Sequence, residues 1–257
     1  MLKPLQPHLL CRQGDIAPYV LLPGDPGRVL RLAKLLDNYK EIIFNREYRI
    51  VTGSYQGVPV SICSTGIGGP STAIALEELV KMGAKVLIRV GSCGANLREI
   101  KIGDVIISDS VVREDHTCLD YVPLPYPAVA DREVVNQLII AAKQAQSGKR
   151  FKYFAGLTVS VDALYSPKTK VTKNYWKQFG ALAQDMEAGT VITLGRLLNV
   201  KAGAILLVVD QEGEKNIASK IARYSLEAKQ DKGALVQAEQ NAAKIALEAL
   251  ISFSKQS

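Results

Sequence analysis

The sequence alternates short aliphatic runs with stretches of helical periodicity, and this alternation constrains the fold more than any other feature. Six runs rich in Val, Ile and Leu have the length of strands buried on both faces, and they span residues 20–23, 58–64, 86–90, 105–108, 157–161 and 204–209. Between several of them, apolar residues recur at i, i+3, i+4 and i+7, in series that begin at Val29, Val135, Ala188 and Leu235. We predict an α/β fold with a single domain over residues 1–257, in which helices flank a central mixed β-sheet.

Composition and charge exclude several broad classes of protein. The apolar fraction of 47 % excludes a mainly disordered chain, and the longest apolar runs are far shorter than the roughly 20 residues of a membrane-spanning helix. Residues 1–8 show no signal-peptide pattern. The four cysteines form no CxxC pair, which argues against disulfides and structural zinc. A net charge of +7 without a basic tract favours a small anionic substrate. We expect a cytoplasmic protein that binds neither nucleic acid nor membrane.

The segment after the first aliphatic run has the features of an anion-binding loop. Asp25 and Pro26 suit the N-cap and the first position of the helix that follows, and Gly24 lets the backbone come close to a ligand. Arg28 falls in the first helical turn, where the helix dipole does not favour a cation. A bound anion explains this placement, and the alternative is a capped helix with a surface arginine.

A second arginine lies inside an aliphatic run. Arg89 interrupts residues 86–90, and a buried arginine needs either an anionic ligand or an internal salt bridge. Gly91 and Gly94 flank Ser92 and Cys93, so backbone N–H groups and a hydroxyl follow this arginine. The glycine-rich stretch at residues 65–71 matches neither the dinucleotide-binding nor the P-loop pattern.

Two acidic residues stand where binding or catalytic carboxylates are common. Glu187 precedes a predicted helix, where it serves as a dipole partner or accepts hydrogen bonds from two sugar hydroxyls. Asp210 ends a buried strand, which is a typical catalytic location. With only two histidines, a histidine-rich metal site is excluded, and we expect no metal.

Seven short motifs occur along the chain. They are Pro-Gly-Asp-Pro-Gly-Arg at 23–28, Asn-Arg-Glu-Tyr at 45–48, Ser-Thr-Gly-Ile-Gly-Gly-Pro-Ser at 64–71, Arg-Val-Gly-Ser-Cys-Gly at 89–94, Tyr-Pro-Ala-Val-Ala-Asp at 126–131, Asp-Ala-Leu-Tyr-Ser-Pro at 162–167 and Asp-Met-Glu-Ala at 185–188. In content and order they resemble the nucleoside phosphorylase family of the hexameric type, which includes bacterial purine nucleoside phosphorylases and uridine phosphorylases. The resemblance implies a reversible reaction in which a nucleoside and inorganic phosphate give the free base and ribose 1-phosphate. It implies no cofactor beyond phosphate as co-substrate.

The resemblance also implies roles for individual residues. Phosphate-binding roles fall on Gly24, Arg28, Arg46, Arg89 and Ser92. Ribose-binding roles fall on His8, Met186 and Glu187. Base-binding positions are Cys93, Gly94, Leu164, Tyr165 and Asp185, and catalytic positions are Asp210 and Arg223. In this family, the residues that match His8 and Arg46 complete the site of a neighbouring subunit. We therefore expect a homo-oligomer, a hexamer built as a trimer of dimers.

The sequence is compatible with either a purine nucleoside or uridine as the substrate, and it favours a purine nucleoside. In the purine branch an Asp at the position of Asp210 protonates N7 of the base. Uridine enzymes carry an inserted loop with a Gln and an Arg, which is missing after Tyr165, and they have Asn-Arg where this chain has Asp210-Gln211. We therefore expect purine nucleosides (inosine, guanosine or adenosine), with uridine as the alternative because residues 64–71 and 126–131 look closer to the uridine branch.

Two other functions remain as alternatives. A nucleosidase of the same fold would use water, but the retained arginines at 28, 46 and 89 argue against it because water would leave this positive cluster unpaired. The other alternative is a binding module without catalytic activity, in which the positions of Asp210 and Glu187 would have arisen by chance.

Overall fold

All six aliphatic runs form strands in the computed structural model, which describes residues 4–147, 151–211 and 217–255. These residues form ten strands: β1 (Tyr19–Leu22), β2 (Asn38–Asn45), β3 (Tyr48–Tyr55), β4 (Val58–Cys63), β5 (Val86–Ala95), β6 (Val105–Glu114), β7 (Ala128–Val129), β8 (Tyr153–Val161), β9 (Ala183–Asp185) and β10 (Lys201–Asp210). They also form eight helices: α1 (Pro26–Ala33), α2 (Gly69–Lys81), α3 (Thr117–Tyr121), α4 (Arg132–Gln146), α5 (Thr169–Lys177), α6 (Ala188–Leu197), α7 (Ile217–Lys229) and α8 (Ala234–Ser254).

The strands join into one mixed sheet, in the order β10-β6-β8-β9-β5-β1-β4-β3-β2. β1 is parallel to both β4 and β5, whereas β2, β3 and β4 form an antiparallel meander at the far edge. β10 pairs with β5 as well as with β6, so the strands from β5 through β9, β8 and β6 to β10 close on themselves. The prediction of a single α/β domain with a mixed central sheet is confirmed. Its extent over all of residues 1–257 stays a prediction.

Helices cover both faces of the sheet and form two main apolar cores. One core packs α1, α4 and α8 against the sheet through residues such as Val29, Leu138 and Leu250. The second core packs α2 and α6 against the opposite face through residues such as Leu76 and Val191. The four predicted helical series fall on α1, α4, α6 and α8, each of which buries its apolar stripe.

Several elements gave no clear signal in the sequence. β2 is largely exposed, so its residues are mostly polar and lack the aliphatic run of a buried strand. α5 contains no buried residue, and its three apolar or aromatic residues, Val171, Tyr175 and Trp176, are too few to form the i, i+3, i+4, i+7 series. No helix in the described ranges is long and apolar enough to cross a membrane.

Candidate active site

The loop after β1 lies beside the middle of β5. Leu22, the last residue of β1, pairs with Arg89 in the parallel register, so the loop after β1 runs alongside the β5 residues that follow Arg89. Asp25 caps α1 as predicted, because its carboxylate accepts hydrogen bonds from the backbone N–H groups of Gly27 and Arg28, each at 2.9 Å. Arg28 Nη1 donates to the carbonyl oxygen of Val90 at 3.0 Å. The structure therefore brings Gly24 and Arg28 next to Arg89 and Ser92.

Arg28 is buried and held by a network of side chains. Its Nε donates to Glu239 on α8 at 2.8 Å, and its Nη2 donates to the hydroxyl of Tyr224 on α7 at 2.8 Å. Arg31 contacts the same Glu239 carboxylate at 2.8 Å. Burial by itself lowers the pKa of Arg28, but Tyr224 and Glu239 more than offset this effect and raise it. The alternative of a surface arginine is wrong, and Arg28 is a fixed cation at the start of α1.

Arg89 is 3 % exposed and has two carboxylate partners. Its Nε donates to Asp185 Oδ2 at 3.0 Å, and its Nη2 forms an ion pair with Glu187. The remaining nitrogen, Nη1, is buried and has no hydrogen-bond partner among the described residues. A Cβ atom at Gly91 would lie 2.6 Å from this guanidinium, so only glycine leaves room for it. The predicted internal salt bridge exists, and one guanidinium nitrogen remains available to an anion.

Asp185 holds Arg89 in position and is itself held by two further hydrogen bonds. Its Oδ1 accepts a hydrogen bond from Ser160 at 2.5 Å, and its Oδ2 accepts from the backbone N–H of Ala188 at 2.9 Å. Both oxygens therefore contribute to fixing Arg89 and the start of α6. The role of Asp185 at the base stays a prediction, and these contacts give it a positioning role.

Glu187 links Arg89 to the glycine-rich loop before α2. Its Oε1 accepts a hydrogen bond from the backbone N–H of Gly68 at 2.7 Å, where the backbone φ of +91° favours glycine. Burial raises the pKa of Glu187, while Arg89 opposes this effect. The neighbouring Met186 packs against the cluster of Val159, Val161 and Ala181. Of the two predicted ribose-binding residues on this segment, Glu187 contacts Arg89 directly and Met186 precedes it in the chain.

A third group of predicted residues meets at the end of β10. Asp210 ends this strand opposite Gly94 on β5, just after a β-bulge. A Cβ atom at Gly94 would lie 3.2 Å from Asp210 Oδ2, so the glycine leaves space in front of the carboxylate. Lys173 on α5, which sequence reasoning missed, places its Nζ 3.7 Å from the same oxygen. Cys93 is buried beside them, and burial raises the pKa of its thiol.

Three predicted residues are exposed, and within the described ranges the structure does not bring them into contact with the groups named above. Leu164 is 40 % exposed and Tyr165 is 79 % exposed. The Arg223 side chain is 81 % exposed, and its Nε donates to Glu227 along α7 at 2.8 Å. Contacts of these three residues with the base or with Asp210 stay predictions.

His8 and Arg46 lie at the surface, as residues that serve a neighbouring subunit must. His8 Nδ1 is 2.7 Å from Glu78 Oε1, which fixes the imidazole ring against α2. Arg46 is exposed at the tip of the hairpin between β2 and β3, with a left-handed φ of +54° that is uncommon for a residue other than glycine. Their contacts across an interface stay predictions.

Sequence reasoning missed the residues that support the site. Glu239, Tyr224 and Glu78 contact predicted residues over separations of 70 to 211 positions along the chain, which no local pattern reveals. Lys173 lies on a short helix without a buried residue. Within the described ranges, no group of three or more His, Cys, Asp or Glu residues is arranged to hold a metal ion.

Comparisons with known proteins show which family the chain belongs to. The sequence model of the phosphorylase superfamily matches residues 18–252. The chain is 45 % identical over 216 residues to a uridine phosphorylase of Thermococcus kodakarensis, covering 79 % of this chain and 76 % of the relative. It is 40 % identical over 203 residues to a guanosine phosphorylase of Halorubrum lacusprofundi, covering 79 % and 82 %.

Solved structures give the same result. A crystal structure of uridine phosphorylase from Vibrio fischeri matches with a TM-score of 0.85 and 35 % identity, and the match covers 98 % of both chains. The chain belongs to the phosphorylase superfamily and, within it, to the nucleoside phosphorylases, pentosyltransferases that act by phosphorolysis of nucleosides.

Proposed function

We propose that the chain catalyses the phosphorolysis of uridine to uracil and ribose 1-phosphate. The observation that carries this proposal is the 45 % identity to a relative named uridine phosphorylase. Relatives with the same name from Haemophilus influenzae and Escherichia coli are 36 % and 33 % identical. The sequence favoured a purine, and these comparisons favour the alternative instead. Guanosine is the second candidate, because the relative from Halorubrum lacusprofundi is named guanosine phosphorylase.

The buried arginines Arg28 and Arg89 support a phosphate site beside β5. Arg28 and Arg89 are buried cations whose positions are fixed by carboxylates. Arg89 Nη1 has no partner among the described residues, and a phosphate oxygen supplies one. The backbone of Gly24 and the hydroxyl of Ser92 add further donors at the same place. Phosphate held here is aimed at C1′ of the ribose, and this positioning supplies much of the rate enhancement.

The carboxylate of Glu187 supports a ribose site beside the phosphate. A carboxylate only accepts hydrogen bonds, and the 2′- and 3′-hydroxyls of ribose donate them. As the C1′–N bond lengthens, positive charge develops on the sugar between the phosphate and Glu187, which stabilise it. The phosphate then forms the new bond to C1′, and the base departs with the bonding electrons. Inorganic phosphate is the co-substrate in this scheme, and the residues named here need no further cofactor.

We also propose that the active form is a homo-oligomer, a hexamer built as a trimer of dimers. The exposed Arg46 and the half-buried His8 support this assembly, because each stands on the surface of its own subunit. In the oligomer, Arg46 reaches the phosphate and His8 the 5′-hydroxyl in the neighbouring subunit's site. Sedimentation of the purified protein tests the assembly, and a fully active monomer contradicts it.

The experiment that tests the proposed reaction uses the purified chain with uridine, guanosine, inosine and adenosine, each with and without phosphate. Release of the free base is followed by chromatography. The proposal expects phosphate-dependent release of uracil from uridine. Release from guanosine alone selects the second candidate, and release that does not depend on phosphate identifies a nucleosidase and overturns the phosphate site.

A further inference from the structure

Lys173 brings its ammonium group close to the carboxylate of Asp210. Its Nζ lies 3.7 Å from Asp210 Oδ2, and its side chain is 19 % exposed. The same ammonium is 3.9 Å from the position that a Cβ atom would occupy at Gly94. The missing side chain at Gly94 therefore leaves space that both the lysine and the aspartate border.

The position of Lys173 is set by Trp176, three residues later on the same face of α5. Trp176 packs against the apolar cluster of Val159, Val161 and Ala181, against which Met186 also packs, and its Nε1 donates to Glu114 at 2.7 Å. The contacts of Trp176 with this cluster and with Glu114 hold α5 against the ends of β8 and β6, although the helix has no buried residue. Because Met186 belongs to the proposed ribose site, Lys173 is held at the end of the site where the base would lie.

The two charged groups have opposite hydrogen-bonding capacity. An ammonium group has three donors and no acceptor, whereas a carboxylate has acceptors only. Uracil presents a carbonyl oxygen next to a ring N–H, and guanine and hypoxanthine present the same neighbouring pair. Cytosine and adenine present an amino group next to a ring nitrogen without hydrogen. An ammonium that faces the carbonyl position, next to a carboxylate that faces the ring nitrogen, is therefore complementary to the first group of bases and opposed to the second.

We propose that Lys173 and Asp210 together select bases with a carbonyl next to a ring N–H over bases with an amino group at that position. This inference rests on the proposed phosphorolysis and deepens it by naming the class of base. Lys173 donates to the carbonyl oxygen, and Asp210 accepts from the adjacent N–H. The pair suits both uridine and guanosine, which are the nucleosides in the names of the two relatives described above. For guanosine this places Asp210 at the ring N–H next to the carbonyl, in place of the contact with N7 that the purine branch implies.

The same lysine also assists the reaction. When the C1′–N bond breaks, both bonding electrons move onto the base, and a phosphate oxygen forms the new bond to C1′. The negative charge spreads to the carbonyl oxygens, and the base then takes a proton from water. An ammonium group at a carbonyl oxygen stabilises this charge more as the bond breaks than before it breaks.

The test compares wild type with Lys173→Met, Lys173→Arg and the control Lys170→Met, which removes an exposed lysine from the same helix. Values of kcat/KM are measured for uridine, cytidine, guanosine and adenosine at saturating phosphate, and the KM for phosphate is measured separately. We expect Lys173→Met to lower kcat/KM for the preferred oxo nucleoside by about 10- to 100-fold. Little change is expected for its amino counterpart, and the KM for phosphate stays the same. Lys173→Arg restores part of the activity, and Lys170→Met behaves as wild type.

The outcomes separate this inference from the proposed function. If wild type cleaves guanosine but not uridine, the uridine proposal fails, and the inference is tested on guanosine against adenosine. If Lys173→Met keeps the wild-type ratio of oxo to amino nucleosides, or if wild type cleaves both kinds equally well, the inference is overturned while phosphorolysis stands. Failure to cleave any of the four nucleosides with phosphate overturns both.

Discussion

The proposed phosphate side and base side of the site are built in opposite ways. On the phosphate side, Arg28 and Arg89 are buried, and each is held by at least two contacts from distant parts of the chain. On the base side, α5 has no buried residue, and Leu164 and Tyr165 are exposed. The groups that would bind the co-substrate are therefore part of the core, whereas those that would meet the base lie on a surface segment. The sequence of a surface segment can change with little loss of fold stability, so the residues that would determine base specificity are ones that can be substituted without unfolding the protein.

The largest expected effect comes from removing a cation on the phosphate side. Arg89→Ala leaves the buried carboxylates of Asp185 and Glu187 without their shared partner. We expect kcat/KM to fall by about 10³-fold and the free energy of unfolding to fall by about 3–5 kcal/mol. Phosphate-dependent kinetics and urea unfolding measure the two effects. Arg196→Ala, at an exposed arginine, is the matched control, and a wild-type KM for phosphate in Arg89→Ala would contradict the comparison.

The variant Glu187→Gln, next to Arg89, is expected to lower activity without lowering stability. Burial raises the pKa of Glu187, so the stability that this group contributes is present below its unfolded value of 4.5 and is lost as pH rises through the folded value. At neutral pH a neutral side chain of the same shape is therefore no less stable. We expect kcat/KM to fall by about 10²-fold with no decrease in Tm. A clear decrease in Tm at pH 7 would show that the ion pair with Arg89 outweighs burial.

The pKa of Glu239 is shifted in the opposite direction to that of Glu187. Burial alone would raise its pKa, but Arg28 and Arg31 lower it overall. Its contribution to stability is present above the unfolded value of 4.5 and is lost as pH falls through the lower folded value. We expect Glu239→Gln to lose about 2 kcal/mol at neutral pH and less at acid pH. Urea unfolding of both proteins between pH 3 and pH 7 measures this, and a difference independent of pH would argue against the network.

The smallest expected effect is on the base side. Tyr165→Ser removes a ring that is 79 % exposed, so the free energy of unfolding should change by less than about 0.5 kcal/mol. Tyr48→Ser, at a buried tyrosine on β3, provides the contrast and should cost about 3–5 kcal/mol. Equal losses in the two variants, measured by urea unfolding, would remove the distinction between core and surface.

The sequence predicted the parts of the molecule in which one residue's environment is set by its near neighbours. The aliphatic runs, the cap formed by Asp25 and the buried Arg89 all follow from local patterns. The partners of Arg28 did not, because Glu239 lies 211 positions away. Lys173 was missed because α5 is short and has no buried residue, and its approach to Asp210 depends on how α5 packs. The nature of the base depends on such contacts, whereas the purine expectation rested on the loop missing after Tyr165 and on Asp210-Gln211.

The contact between Arg28 and Glu239 also has a consequence for how the protein is made. The chain leaves the ribosome from its amino end, so Arg28 emerges 211 residues before its carboxylate partner. Contacts of such separation form late in folding because they close the longest loops. The network around Arg28 is therefore expected to be complete only after α8 has been synthesised. A nascent chain that stops before this helix lacks the carboxylate that pairs with Arg28, although Val90 and Tyr224 are already present.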